Sequence, residues 1–250
     1  SVCIKEVPDL DAPFSVQEGE LAFDTDRVQL NAYDASAVEA ALVLTEEHGG
    51  SVEVVTVGPD DVTETIRKAL AMGADRAVHL TTADADAYDA RAYADVLAGY
   101  YADSDADAIF CGKQSQDTDA GLTGPMLAAL LDRPYAANVV GIEVDGDDLV
   151  VERQGDTGSE MIALPQPCLV TCSNDMNNPR IPKLKGIMAA KKKPVDTQPA
   201  DEFGGAATAQ TTVVGYEPVP EREPGEMLEG ETGEMVRELT ERLDDEANVL

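Results

Sequence analysis

Short apolar runs alternate with helix-patterned segments from Val2 to Leu131, and this alternation most limits what the chain can fold into. Val2–Val7, Val52–Val57, Arg76–Leu80 and Ala108–Cys111 read as strands. Helices are predicted over Asp34–His48, Asp60–Met72, Tyr88–Tyr101 and Gly121–Leu131. In the first, Ala37, Ala40, Ala41 and Leu44 fall at helical spacing and Gly49-Gly50 stops it. In the second, Val62, Ile66, Ala69 and Leu70 share a face, and Gly73 ends it. The last closes before Pro134. Strands that are apolar on both faces, joined by helical crossovers, make a parallel sheet flanked by helices, an α/β class fold. Ligands of such sheets bind at the carboxyl ends of the strands. The candidate loops are therefore Glu6–Asp34, Gly58–Asp61, Leu80–Asp86 and Gly112–Gly124.

The pattern changes after Asn138. Val139–Val144, Leu149–Arg153 and Glu160–Leu164 alternate, with turn residues at Asp145-Gly146 and Gly155–Gly158, which reads as an antiparallel extension. Cys168–Cys172 is a last strand. From about Pro194 the chain is rich in Pro, Gly and acids, and residues 196–250 read as a C-terminal arm. Within it Val213–Tyr216 is expected as an edge strand, and Gly233–Leu243 as a helix with Met235, Val236, Leu239 and Leu243 on one face. A helix this short is marginal in water and must dock on its own core or on another chain.

The formal charge is −31, from 49 acidic and 18 basic residues in 250. That balance repels nucleic acid and anionic membranes. The acids are spread along the whole chain, as a solvated coat. With few Lys and no Trp, the composition resembles that of proteins from salt-loving archaea. One stretch breaks the pattern: Met176–Val195 has no Asp or Glu and holds Arg180, Lys183, Lys185, Lys191, Lys192 and Lys193. Leu184, Ile187 and Met188 lie in its middle, so the loop is either a contact surface or a solvated basic segment. Cys3, Cys111, Cys168 and Cys172 sit in or beside apolar runs and read as buried thiols, and no metal site is expected. No run of about 18 apolar residues is present and no signal peptide is visible, so a cytoplasmic location is expected. The chain begins almost inside a strand, which leaves room for residues before Ser1.

The segment Cys111–Pro125 leaves a strand and enters a helix. Small residues at Ser115, Thr118, Gly121, Thr123 and Gly124 leave backbone N–H groups free to converge on an anion, and the helix dipole adds positive charge there. An ordinary strand-to-helix loop accounts for the same residues. It is neither a P-loop nor a dinucleotide fingerprint. Asn31 and Asp34 precede the first helix and read as N-cap residues or ligand contacts. Val57-Gly58-Pro59-Asp60 is a tight turn at a strand end, where Gly58 allows close approach of the backbone. His48 and His79 accompany no nucleophile signature, and no catalytic set is visible.

In order along residues 1–195, these segments resemble the beta subunit of electron transfer flavoprotein. The resemblance rests on Asn31 with Ala37-Val-Glu-Ala40, on Glu64–Arg76, on Gly112-Lys-Gln with Asp117 and Thr123-Gly124, and on Pro179-Arg180 through Leu184, Ile187-Met188 and Ala190–Lys193. It implies an adenine-nucleotide-binding, Rossmann-like domain over 1–195 with a recognition loop at 178–193, and an arm over 196–250 docking on a partner subunit. It also implies a heterodimer with an alpha subunit that holds the redox FAD, while the beta subunit holds a structural AMP. The pair would carry electrons from acyl-CoA dehydrogenases to a quinone oxidoreductase or another acceptor, with no bond-making active site in this chain.

Carried over by motif, Cys3 would line the adenine, Asn31 would contact ribose or adenine, and Val57 with Gly58 would contact the nucleotide at a strand end. Ser115, Thr118, Gly121, Leu122 and Thr123 would cradle the phosphate. Leu10 would approach the partner's flavin. Leu184 would anchor the dehydrogenase, with Arg180, Ile187 and Met188 around it. The chain departs from the family at Ala189, often Lys, and at Gly121 and Leu122, where side-chain contacts are lost and backbone donors remain. One alternative is a bifurcating flavoprotein beta subunit with FAD in this site. Others are a stand-alone nucleotide-binding α/β protein, a hydrolase on the same architecture, or a purely structural domain.

Overall fold

The computed structural model describes all residues except 84, 205–207, 221–223 and 247–250. Its chain begins with β1 (Val2–Cys3), β2 (Glu6–Pro8), β3 (Phe14–Gln17), β4 (Glu20–Phe23) and β5 (Val28–Leu30). Next come α1 (Ala32–His48), β6 (Glu53–Gly58), α2 (Thr63–Met72), β7 (Arg76–Thr81), α3 (Ala90–Tyr101), β8 (Ala108–Gly112) and α4 (Thr123–Leu130). The remainder is β9 (Tyr135–Asp145), β10 (Asp148–Gly155), β11 (Gly158–Pro165), β12 (Cys168–Cys172), α5 (Leu184–Ala190), β13 (Val195–Pro199) and α6 (Thr232–Asp245).

Nine strands form one sheet in the order β11-β10-β9-β12-β8-β1-β6-β7-β13. Pairing is parallel from β9 to β13, and β10 and β11 add the antiparallel extension. The apolar strands explain the layering. Alternate residues of each strand feed two cores, one under α1 and α2 with Val54 and Phe110, the other under α3 and α4 with Val55 and Ile109. The extension is continuous with the sheet because β9 does two jobs. Its first half pairs with β12 and its second half with β10, and the strand turns at Asn138, a residue that tolerates its φ of 59°.

Several expectations need correction. Val2–Val7 is not one strand: the backbone N–H and C=O of Lys5 are taken by Asp34 and Asn31, which pulls the chain out of the sheet. The expected loop after it contains the β3–β4 hairpin and a β2–β5 pair. Val213–Tyr216 forms no strand, and Val213 and Val214 are exposed. The edge beyond β7 is instead occupied by β13, just past residue 195.

Residues 1–215 form one compact unit and 216–250 another. In the second unit α6 buries none of its residues, and Arg242 pairs with Glu226 and Glu238.

Candidate functional site

The strand order reverses beside β1: β6 and β7 lie on one side, and the chain then returns through β8 on the other. The crevice at the carboxyl ends of β1 and β8 is therefore where a ligand of this sheet is expected. Asn31, Asp34 and the loop after β8 all meet there. Asn31 precedes α1 but makes no capping bond with its side chain. It is buried, donates Nδ2 to the Gln114 carbonyl (2.8 Å) and accepts the Gln116 N–H (3.2 Å). Gln116 in turn accepts the Ala32 N–H through Oε1 (3.0 Å). The capping bond expected of Asn31 is thus replaced by three hydrogen bonds between the start of α1 and the loop.

Asp34 is likewise no cap. It sits inside α1, buried, and its two oxygens accept the Lys5 N–H (2.7 Å) and the Gly112 N–H (3.0 Å). One carboxyl thereby fixes the ends of β1 and β8 together. Burial pushes its pKa up to about 7, against the opposing pull of those donors, of Asn31 and of the Lys5 charge. Gly112 is required here, because a Cβ would overlap Asp34 Oδ1.

Beyond Gly112 the loop closes on itself. Ser115 Oγ and Thr118 Oγ1 are 2.8 Å apart, the Asp119 N–H donates to the Ser115 carbonyl, and Gln114 donates to Asp119. The Lys5 ammonium reaches over the loop to Asp117 (2.7 Å) and Ser115 Oγ (3.4 Å). Gly121, with φ 62°, turns the chain into α4. Leu122 is the cap residue of that helix, and no side chain caps it. At the start of α4 the N–H groups of Thr123 and Gly124 have no partner within the helix and form an anion-favouring end, while Pro125 has no N–H and the Met126 N–H donates to the Leu122 carbonyl. Gly124 lets α4 pack against β12, since a Cβ would come within 2.6 Å of Thr171 Cγ2.

Cys3 lies at the end of β1 and Val57 and Gly58 at the end of β6, the next strand. Cys3 Sγ is 3.5 Å from the hydroxyl of buried Tyr101, which also lies 2.7 Å from Ser1 Oγ. Hydrogen bonding to Cys3 and burial raise the Cys111 thiol, and burial raises Cys172 to about 12, so neither is a reactive thiolate. His79 Nε2 rests 3.1 Å from the Gly58 carbonyl, buried within β7. Beside the start of α4, Leu122 and Met126 form part of the wall of a cavity of about 660 Å³ with Asp89, Arg91 and Thr211. Burial opposes ionisation of Asp89, but bonds from the N–H groups of Ala92, Gln210 and Thr211 and from the Thr211 hydroxyl hold it down to about 2.

The basic segment is a short helix on a pinned loop. Ile181 is 87% exposed and Leu184 75%, with Ile187 and Met188 also exposed. Lys183, Lys185, Lys191 and Lys192 are exposed around them. Arg180 faces inward: its guanidinium and its backbone N–H bond to Glu39, and the guanidinium also reaches Glu46. Hydrogen bonds to Glu46 and Glu39 raise its pKa. Leu10 is exposed in the β2–β3 connection, near the exposed Phe14 that opens the hairpin.

Lys5, Asp34, Gln114 and Gln116 hold this site together, and of these Asp34, and Gln114 within the Gly112-Lys-Gln motif, stood out in the sequence. A Lys directly after the apolar run Val2–Ile4, at a strand's carboxyl end, was the available signal for Lys5. Among the described residues no His, Cys, Asp and Glu group is placed to hold a metal ion, and no helix is long and apolar enough to cross a membrane.

Residues 20–203 match the electron transfer flavoprotein domain. The chain is 35% identical to the electron transfer flavoprotein subunit beta of Bacillus subtilis strain 168, over all of this chain and 98% of the relative. It is 36% identical to the subunit of the same name from Mus musculus, over 96% of each chain. With that of Mycobacterium bovis it shares 33% identity over 94% of each.

Proposed function

The chain belongs to the electron transfer flavoprotein family as a beta subunit, and from that premise we propose that it binds AMP between β1 and β8 and pairs with an alpha subunit carrying the redox FAD. The observation that carries the nucleotide reading is the loop from Lys113 to Leu122, held by Asn31 and Asp34, leading into the uncapped start of α4. These residues fit a phosphate. Ser115 and Thr118 offer hydroxyls, α4 offers the backbone N–H groups of Thr123 and Gly124, and Lys5 adds a cation beside Ser115. Cys3, Val57 and Gly58 lie at neighbouring strand ends, where the adenine and ribose would lie. Bound AMP stabilises the folded chain by mass action and supplies no redox chemistry. In this reading the chain has no bond-making site of its own and works in the cytoplasm.

The exposed segment with Leu184 at its centre is read as the surface that docks acyl-CoA dehydrogenases, with Ile187 and Met188 beside it and lysines at the rim. One apolar anchor in a basic rim suits a transient contact with acidic partners. Electrons then pass through the alpha subunit's flavin, near which Leu10 would lie, to a quinone oxidoreductase or another acceptor. The arm, residues 196–250, is read as docking on the alpha subunit, because α6 leaves Val236 and Leu239 exposed.

The test is to purify the chain in molar KCl with and without an alpha subunit, denature it and identify the released nucleotide. AMP from the beta chain, with FAD only in the pair, supports the proposal. FAD from the beta chain alone identifies a bifurcating system, and no nucleotide at all overturns the reading of the Gly112–Gly124 loop. For the docking surface, Leu184→Ala should slow electron transfer from an acyl-CoA dehydrogenase, and an unchanged rate removes Leu184 as the anchor.

A further inference from the structure

Helices α2 and α5 end against each other, and each end is closed by a basic side chain from the other segment. Arg67, on α2, donates through Nη1 to the carbonyls of Ala190 (2.7 Å) and Lys193 (2.9 Å) at the end of α5. Lys193, just past α5, donates through Nζ to the carbonyls of Leu70 (3.0 Å), Gly73 (3.0 Å) and Ala74 (2.6 Å) at the end of α2. The last carbonyls of a helix have no partner within it and carry the negative end of its dipole, so a cation there satisfies both needs. In its middle, α5 lies directly on α2: a Cβ on Gly186 would come within 2.6 Å of the Ala71 carbonyl oxygen. Before the helix, Arg180 is clamped to Glu39 and Glu46 of α1. A helix of seven residues does not hold its shape alone in water, so these contacts must supply its order.

We propose that Arg67, Lys193 and Arg180 are positioning residues for partner docking, with the reciprocal capping of α2 and α5 keeping the Leu184 surface ordered before any partner arrives. The inference rests on the reading of this segment as the docking surface. It divides the basic residues of the segment into two sets. Arg180 and Lys193 are spent on the chain's own carboxylates and carbonyls, and Lys183, Lys185, Lys191 and Lys192 remain exposed to meet a partner's acids. An ordered docking helix spares the encounter the entropy of ordering it, which matters most for a contact that must also release quickly.

The experiment uses the heterodimer carrying Arg67→Met, Lys193→Met or Arg67→Lys, with Leu184→Ala as reference. Hydrogen exchange reads the order of α5 and of the last turn of α2, and steady-state electron transfer from an acyl-CoA dehydrogenase gives KM for the flavoprotein and kcat. In Arg67→Met, exchange of the α5 amides should quicken about tenfold, as expected when hydrogen bonds to a charged donor are lost. Lys193→Met should do the same for the last turn of α2 and, through the shared contact, for α5. KM should rise severalfold in both with kcat unchanged. Arg67→Lys keeps a single nitrogen for the two carbonyls and should stay close to wild type. Either Met variant carries the test if the other does not fold. Unchanged exchange overturns the capping. Faster exchange with unchanged KM, while Leu184→Ala still raises KM, overturns the positioning role and leaves the docking surface standing. If Leu184→Ala also leaves KM unchanged, the docking reading itself falls, and the proposal with it.

Discussion

Replacing Asp34 with Asn should abolish a pH-dependent stability that the wild-type carboxyl creates. Asp34 is buried between β1 and β8, and burial raises its pKa from 3.8 to about 7. The folded chain therefore holds this proton more tightly than the unfolded chain. The stability so conferred is fully present below 3.8 and is lost as the pH rises through about 7. A rise of roughly three pKa units, at about 1.36 kcal/mol each, is on the order of 4 kcal/mol across that window. The D34N variant cannot titrate. It also sets an amide –NH₂ against the N–H of Lys5 or Gly112, a fixed cost of about 1–3 kcal/mol. Denaturant unfolding of both proteins in molar KCl, between about pH 4 and pH 8, gives the difference in stability, in which the other carboxylates cancel. The wild type should gain its largest relative advantage at acid pH, and that advantage should shrink steadily as the pH rises. A difference independent of pH would refute the reasoning, because it would mean that burial does not hold the proton on Asp34.

Gly124→Ala should cost about 1–3 kcal/mol, because the added methyl meets Thr171 Cγ2 at 2.6 Å. Adding Thr171→Ser, which removes that methyl, should recover most of the loss in a thermal melt. The −31 charge predicts a melting temperature that rises strongly from dilute buffer to molar KCl, where the Debye length falls to about 3 Å. An unchanged melt would remove self-repulsion as a factor. Deleting residues 231–250 should leave the 1–215 unit folded by circular dichroism but weaken assembly with an alpha subunit, as read by size-exclusion chromatography.

The α/β class was legible because the strands are apolar on both faces. Val54 and Val55 are adjacent, and each feeds a different core. Helix limits came close where a residue with a single local role marks them, as Gly49 and Gly73 do at the ends of α1 and α2. The first strand was misread for the opposite reason. Val2–Val7 is apolar enough to be continuous, but its break at Lys5 is imposed by Asp34 and Asn31, far along the chain. The β3–β4 hairpin was missed because each strand has only four residues and both are largely exposed, although Phe14–Gln17 alternates and Glu18-Gly19 makes a two-residue turn.

Local pattern was enough to place most strands of the sheet and the helices α1 to α4, the small-residue loop that leads into α4, and the one acid-free stretch in an acidic chain. These are properties of local pattern and composition, set by backbone preference and by the period of apolar residues. What the polar residues do was set by packing across the fold. Asp34 and Asn31 looked like helix caps, yet they bind together strand ends and a loop more than 70 residues away. Arg180 and Lys193 looked like part of an exposed basic surface, yet their charges are consumed by Glu39, Glu46 and the end of α2. A buried donor or acceptor must find a partner, and which partner lies within reach is fixed by packing rather than by neighbours in sequence.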